Sequence, residues 1–428
     1  MIVQSSSVLS AGDLTGLHRT TLPNGLTVVS EYMPHVRSVA LGAWVRSASM
    51  HEVREQMGVS HMLEHLVFKG SQRRTARELA LALEALGGSL DAYTSREHTA
   101  FQARVLDEHL PQAADVMADL MFAPLLRDSD LELERKVVLE EIAMVEDAPD
   151  DIVFELHNEL MWGAHPLGYS ILGTRGTVGA MRLDDIRALH ARAYRPEQIV
   201  VSAAGHVEHE ALVDVLLRTG WGDVPRGDVP APVAPPTGTY VTARRQVERD
   251  TAQSHVVMGA PAFPYGDDRR YALTLLTSVL GGGMSSRLFQ RIREEKGLAY
   301  SIYAFHHHYS GAGMHGVYLA TSPEQVPEAI ASVNRELADV VARGLPDDEL
   351  QMGKSQLKGQ ITLSLESPGA RLYRAAATEL YGEPFRPLDE VLALVDAITD
   401  AEVAGVAREF FAPDAMTILT LGPSGPSD

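Results

Sequence analysis

The spacing of apolar positions divides the chain into alternating β-like and α-like stretches. Residues 22–29 read as an Asn24-Gly25 turn entering a strand, and 38–46 as a second β-rich run. A helix is predicted from Gly58 and stops at Lys69-Gly70. Another follows over 75–86. Thr75 and Glu78 have capping-box spacing, Leu79, Leu83 and Leu86 form a stripe, and Gly87-Gly88 ends it. Leu81 is assigned with Leu83 and Leu86 to the core. Residues 89–105 alternate as strands do, and 109–122 return to helical spacing. Over 130–145, Leu131, Val138, Ile142 and Val145 make the apolar stripe of a long helix. Pro149, Pro166 and nearby glycines predict a broken region. A helix over 183–194 and a buried-type strand over 198–205 complete this part.

Periodicity is lost over 222–238 (GDVPRGDVPAPVAPPTG), the composition of a semi-rigid linker. It divides the chain into 1–221 and 239–428, and the two parts are alike. The run from Asp185-Ile186 through Tyr194-Arg195-Pro196 to Gly205 matches Glu402-Val403 through Phe411-Ala412-Pro413 to Gly422 at a constant offset of 217. The pattern of 133–147 matches one beginning at Met352, pairing Glu140-Glu141-Ile142 with Gly359-Gln360-Ile361. A duplicated α+β domain is predicted.

At 428 residues the chain exceeds the usual span of one core, which agrees with two domains. A 45% hydrophobic and 22% charged composition is that of an ordinary globular protein. The net charge of −20 argues against nucleic acid as a partner; it is read first as keeping the surface soluble and second as attracting cationic peptides. With no cysteine, disulfides, thiolate ligands and cysteine nucleophiles are excluded, leaving His, Asp and Glu to bind any metal. No signal segment or membrane-length apolar run is visible, so a cytoplasmic protein without membrane contact is expected.

The chemistry is concentrated in Gly58–Leu66 (GVSHMLEHL). On a helix, His61, Glu64 and His65 fall within an arc of roughly 100°. Two neutral imidazoles on one face suit a borderline-soft dication, above all zinc, and a carboxylate between them suits proton abstraction from water. A third ligand is needed. The helix over 130–145 offers Glu132, Glu134, Glu140 and Glu141; Glu134 and Glu141 share a face, but periodicity does not choose among the four. In the second half, the region around Leu273–Gly282 that matches the histidine helix has no histidine. Gly281-Gly282-Gly283 lacks the Gly-Lys-Ser/Thr ending of a phosphate loop and is read as a turn. His306-His307-His308 are read as strand residues because consecutive side chains face opposite ways, and His98, His157 and His165 as structural.

His61-Met62-Leu63-Glu64-His65 is the inverted zinc motif. With the acidic helix downstream and the duplication, the chain resembles the M16 family of zinc endopeptidases, in particular its mitochondrial-processing-peptidase-like subfamily. The resemblance covers about Leu14 to Gly422. It implies two homologous α/β-sandwich domains forming a clamshell, an α+β fold in which only the first half is active. By matching positions it implies one zinc ion on His61, His65 and Glu141, Glu64 as general base, and Glu134 steadying the ligands from behind. Asp91, Ala92, Tyr93 and Thr94 match the edge strand that takes substrate backbone as an added strand; the family usually has Asn at Asp91. Arg293 and Tyr300 match the arginine and tyrosine that the second half brings to substrate. Peptide substrates and a homodimer, or a heterodimer with a related subunit, are implied. A non-catalytic scaffold or partner subunit retaining the ligands is the alternative.

Overall fold

The computed structural model describes residues 5–7, 16–229, 233–236 and 240–423. Part of the predicted linker, residues 230–232 and 237–238, lies outside these. The chain forms two compact units: Met1–Ile142 with Tyr169–Val233 and Leu363–Phe385, and Ala143–Gly168 with Ala234–Thr362 and Arg386–Asp428.

The first unit is built on seven strands: β1 (Ser5–Ser7), β2 (Leu17–Thr21), β3 (Thr27–Tyr32), β4 (Ser38–Val45), β5 (Ser89–Thr94), β6 (Thr99–Leu106) and β7 (Ile199–Gly205). Their order is β1-β2-β3-β7-β4-β6-β5, antiparallel throughout except for the parallel pair β3 and β7. β4 is apolar on both faces because both are covered. Val39, Leu41, Ala43 and Val45 join the core that also buries Val59, Met62, Leu63 and Leu66 of the histidine helix. Ala40 and Trp44 point the other way, against Leu372, Ala375 and Ala376.

The second unit carries β8 (Arg244–Glu248), β9 (Ser254–Ala262), β10 (Ser301–His308), β11 (Gly313–Thr321) and β12 (Thr417–Gly422) in the order β10-β11-β9-β12-β8. β8 and β12 are parallel and the remaining pairs antiparallel. This is the first sheet's order without β1 and β2, so the repeat seen in the sequence is a repeat of topology. Val256, Met258 and Ala260 face a core with Leu273, Leu276 and Leu280, whereas Val257 packs against Val153 on the opposite face.

The compact units differ from the linear halves in one respect. The helix Pro149–Trp162 lies before the linker yet belongs to the second unit, and Pro368–Tyr381 lies after it yet belongs to the first. Each covers the sheet face that its unit's other helices leave open. Ser202 Oγ donates to Leu372 O at 2.9 Å, and Arg19 pairs with Glu379 at 2.7 Å. In the second unit the His157 ring Nε2 lies 3.1 Å from Thr417 O. Gly259 lets that helix approach, since a Cβ there would lie 2.5 Å from His157 Cε1.

Three sequence expectations are corrected here. Pro149 does not break the chain; it opens a 14-residue helix as Pro368 does, because a proline in the first turn lacks only an N–H that has no helical partner. Leu81 is 42% exposed: two residues beyond buried Leu79, it points about 200° around the helix Ala76–Glu84, while the Thr75–Glu78 capping box forms as read. Leu86 lies beyond that helix and is only half-buried. His98 and His157 are buried, and His306 to His308 lie in β10. Among the described residues no helix is long and apolar enough to cross a membrane.

Gly259→Ala is expected to destabilise the second unit by about 1–3 kcal/mol, the usual cost of overpacking, as a lowered denaturant midpoint; an unchanged midpoint would refute the close approach. Burial pushes the His157 and His315 imidazoles down to about 4. An unfolded histidine titrates near about 6.5, so acidification protonates the unfolded chain first. Stability should be full above about pH 6.5 and fall as the pH drops towards 4, as thermal unfolding across that range would show.

Candidate active site

The site grows from the helix Val59–Val67. Its entry residue Gly58 sits at φ +89°, in the left-handed region, and a Cβ there would lie 2.5 Å from Leu172 O. The helix has no cap from its own first residue. Glu52 supplies one from the preceding loop: its Oε2 accepts from Gly58 N–H and its Oε1 from Ser60 N–H, each at 2.8 Å. Burial pushes the Glu52 carboxyl up to about 7, while the Ser60 and Gly58 donors oppose that rise.

One turn of this helix brings the His61 and His65 Nε2 atoms to 3.2 Å from each other. Glu141 Oε2, from the helix Asp128–Asp147, lies 3.6 Å from each of them. Among the described residues this is the one group of three or more His, Asp or Glu whose donor atoms converge, all within 4.8 Å. Behind it, Glu134 Oε2 accepts from His65 Nδ1 at 3.0 Å and its other oxygen pairs with Lys69 Nζ at 2.7 Å. A proton on Nδ1 leaves the Nε2 lone pair of His65 facing Glu141 and His61.

Those protonation states test whether a metal fits. Burial, then the neighbouring His65, pushes His61 down to about 3, so its ring is neutral. The buried Nδ1 of His61 has no hydrogen-bond partner. If the His61 proton is on Nδ1, a buried N–H is orphaned and two lone pairs face each other at 3.2 Å; if it is on Nε2, the Nδ1 lone pair is orphaned. A cation between the Nε2 atoms and Glu141 resolves the facing lone pairs. Two nitrogens and one carboxylate oxygen are the donor set of a three-ligand catalytic zinc site. The residues fit the group.

Glu64 follows on the same helix. Burial raises its carboxyl above the ordinary range, Glu141 adds to the rise, and the hydroxyl of Thr94, donating to Glu64 Oε2, opposes it. Thr94 ends β5, which lies at the sheet edge and pairs only with β6 among the described strands. Along it Ser89, Asp91 and Tyr93 are exposed, and Leu90, Ala92 and Thr94 half-buried. Tyr93 OH accepts from Trp44 Nε1 at 3.3 Å.

His61, Glu64, His65, Glu134 and Glu141 therefore come together in the first unit, with Thr94 joining them and Asp91, Ala92 and Tyr93 leading away along the same strand. Arg293 and Tyr300 lie together in the second unit. The Arg293 guanidinium sits 4.6 Å from the Phe289 ring centre and 5.4 Å from that of Tyr300, whose side chain is 73% exposed. Sequence reasoning overlooked Glu52, Lys69 and the hydroxyl role of Thr94. Lys69 stands four residues after His65, a spacing that could have revealed it. Glu52 acts from a loop, and no periodicity points to it.

Comparison with known proteins agrees with this arrangement. The family model described as Insulinase (Peptidase family M16) matches residues 27–175, and that of the peptidase M16 inactive domain matches 180–357. An uncharacterized zinc protease of Streptomyces coelicolor is 40% identical over 92% of this chain and 87% of its own. One of Bacillus subtilis is 39% identical over 96% of this chain and 99% of its own. Among solved structures, a protease from Helicobacter pylori has a TM-score of 0.89 at 22% identity, over 96% of this chain and 100% of that one. A peptidase M16 inactive domain from Pseudomonas fluorescens also has a TM-score of 0.89, at 18% identity, over 100% and 99%. At such identities the structural likeness bears on fold, and the sequence matches bear on kinship: this chain belongs to peptidase family M16.

Proposed function

We propose that the protein is a zinc-dependent endopeptidase acting on peptides or unfolded polypeptide segments. The observation that carries this reading is the convergence of His61, His65 and Glu141 beside a Glu64 carboxylate oriented by Thr94. His61, His65 and Glu141 would hold the metal, which when bound supplies Lewis-acid polarisation and acidifies the attacking water. Glu64 takes a proton from that water at its carboxylate and returns it to the leaving amine. A carboxyl raised by burial is better matched to this exchange near neutral pH than an exposed one. Glu134 holds the Nδ1 proton of His65, so that Nε2 remains a ligand, and Lys69 neutralises Glu134.

The free edge of β5 offers backbone groups to an extended substrate, a mode of binding that demands little of its sequence. In this reading Arg293 holds substrate backbone and Tyr300 donates towards the oxygen on which charge develops.

Glu64→Gln should retain zinc, measured by metal analysis of the purified protein, and lose peptide cleavage by at least about 100-fold. A Glu64→Gln enzyme cleaving at the parent rate would sink the mechanism. Glu134→Gln should weaken zinc binding about 10–100-fold in a chelator competition, since the His65 N–H keeps only a neutral acceptor and Lys69 loses its counter-charge. Unaltered zinc affinity would remove Glu134 from this role.

A further inference from the structure

The two histidines differ in how their rings are held. Glu134 holds the Nδ1 side of His65, but the Nδ1 of His61 is buried with no hydrogen-bond partner. Among the described residues, no polar contact outside the ligand cluster therefore sets the angle of the His61 ring. Its direction follows from its backbone and the packing around it. That backbone is the first turn of the helix, where N–H groups lack intrahelical acceptors and the chain is normally least fixed. Gly58 has no side chain to cap the turn, and no side chain of the helix's own entry residue does so.

Glu52 closes this gap. It is 8% exposed, and both its oxygens are engaged, one on Gly58 N–H and one on Ser60 N–H, the residue immediately before His61. A carboxyl group gripping two amides of the first turn fixes both the rotation of the turn and its tilt. We propose that Glu52 is a positioning residue that sets the His61 imidazole opposite His65 by clamping the first turn of the histidine helix. It does for His61 through the backbone what Glu134 does for His65 through the ring. The inference rests on the zinc-site reading above for its consequence in metal binding, though not for the placement of the ring.

The test is Glu52→Gln, which keeps the size but offers one acceptor where two donors converge. Two readouts apply: the imidazole nitrogen spectrum of metal-free protein labelled in histidine, and zinc affinity by chelator competition. A core variant, Leu83→Ala, serves as a control for general destabilisation. Glu52→Gln is expected to shift the His61 ring signals while those of His65 stay in place, and to weaken zinc binding about tenfold or more. Leu83→Ala should do neither. Parent ring signals and parent affinity in folded Glu52→Gln overturn the proposal. So does equal disturbance of both rings, which would mark a merely structural cap. If Glu52→Gln does not fold, Glu52→Asp carries the same test, because the shorter carboxylate does not span both amides. A parent protein that binds no zinc defeats the reading of the previous subsection, and the ring spectra then decide on Glu52 alone.

Discussion

Two imidazole nitrogens facing each other at 3.2 Å in a buried setting are the constraint on which this molecule turns. Unaided, such a pair relaxes apart or shares a proton, and either outcome ruins it as a metal site. The surroundings prevent both. Burial keeps the His61 ring neutral, Glu134 holds the proton of His65 on the far side of its ring, and Lys69 pairs with the almost wholly enclosed Glu134. A buried carboxylate without such a partner would be costly. Each member of this chain of contacts answers the unsatisfied charge or lone pair of the member before it.

The fold explains why the arrangement is rigid. The histidine helix packs Val59, Met62, Leu63, Leu66 and Val67 into the same core as one face of β4, so its five apolar positions are fixed and His61, Glu64 and His65 are left with little freedom. The sheet under it is buried on its other face as well, by the helix Pro368–Tyr381. Exchange of that helix and of Pro149–Trp162 gives each unit a layer drawn from the other half of the chain. The second half repeats the strand order and the exchanged helix. At the positions matching the ligands it has Gly359-Gln360-Ile361 and a helix without histidine. Topology and metal chemistry are thus separable here: the sheet persists where the donors are lost.

Much of this was legible in the sequence, and the gaps have physical causes. The histidine helix, the acidic helix and the repeat were visible because they are local patterns of spacing. The exchanged helix Pro149–Trp162 is hidden by Pro149, which reads as a breaker although its missing N–H costs nothing in a first turn. Leu81 was placed in the core from composition rather than angle. Choosing Glu141 over Glu132 and Glu140 needed the resemblance to the family, because a heptad relation alone leaves several carboxylates on similar faces. Glu52 was out of reach for a different reason. It contributes through backbone amides, and backbone amides leave no trace in residue spacing.

Burial acts on the two kinds of functional group in opposite directions and with one result. It lowers the pKa of His61 and raises that of Glu64, so in each case the uncharged form gains. For the imidazole this is an advantage, since only the neutral ring can be a ligand. For the carboxyl it is useful only within limits: a base must still be ionised to accept a proton. The hydroxyl of Thr94 supplies the limit by favouring the ionised form. That contact ties Glu64, the base of the proposed mechanism, to the last residue of the edge strand. Anything that moves the end of β5 therefore moves the hydrogen bond that tunes Glu64. In the proposed mechanism, binding of the substrate backbone and readiness of the base would be coupled through one hydroxyl group.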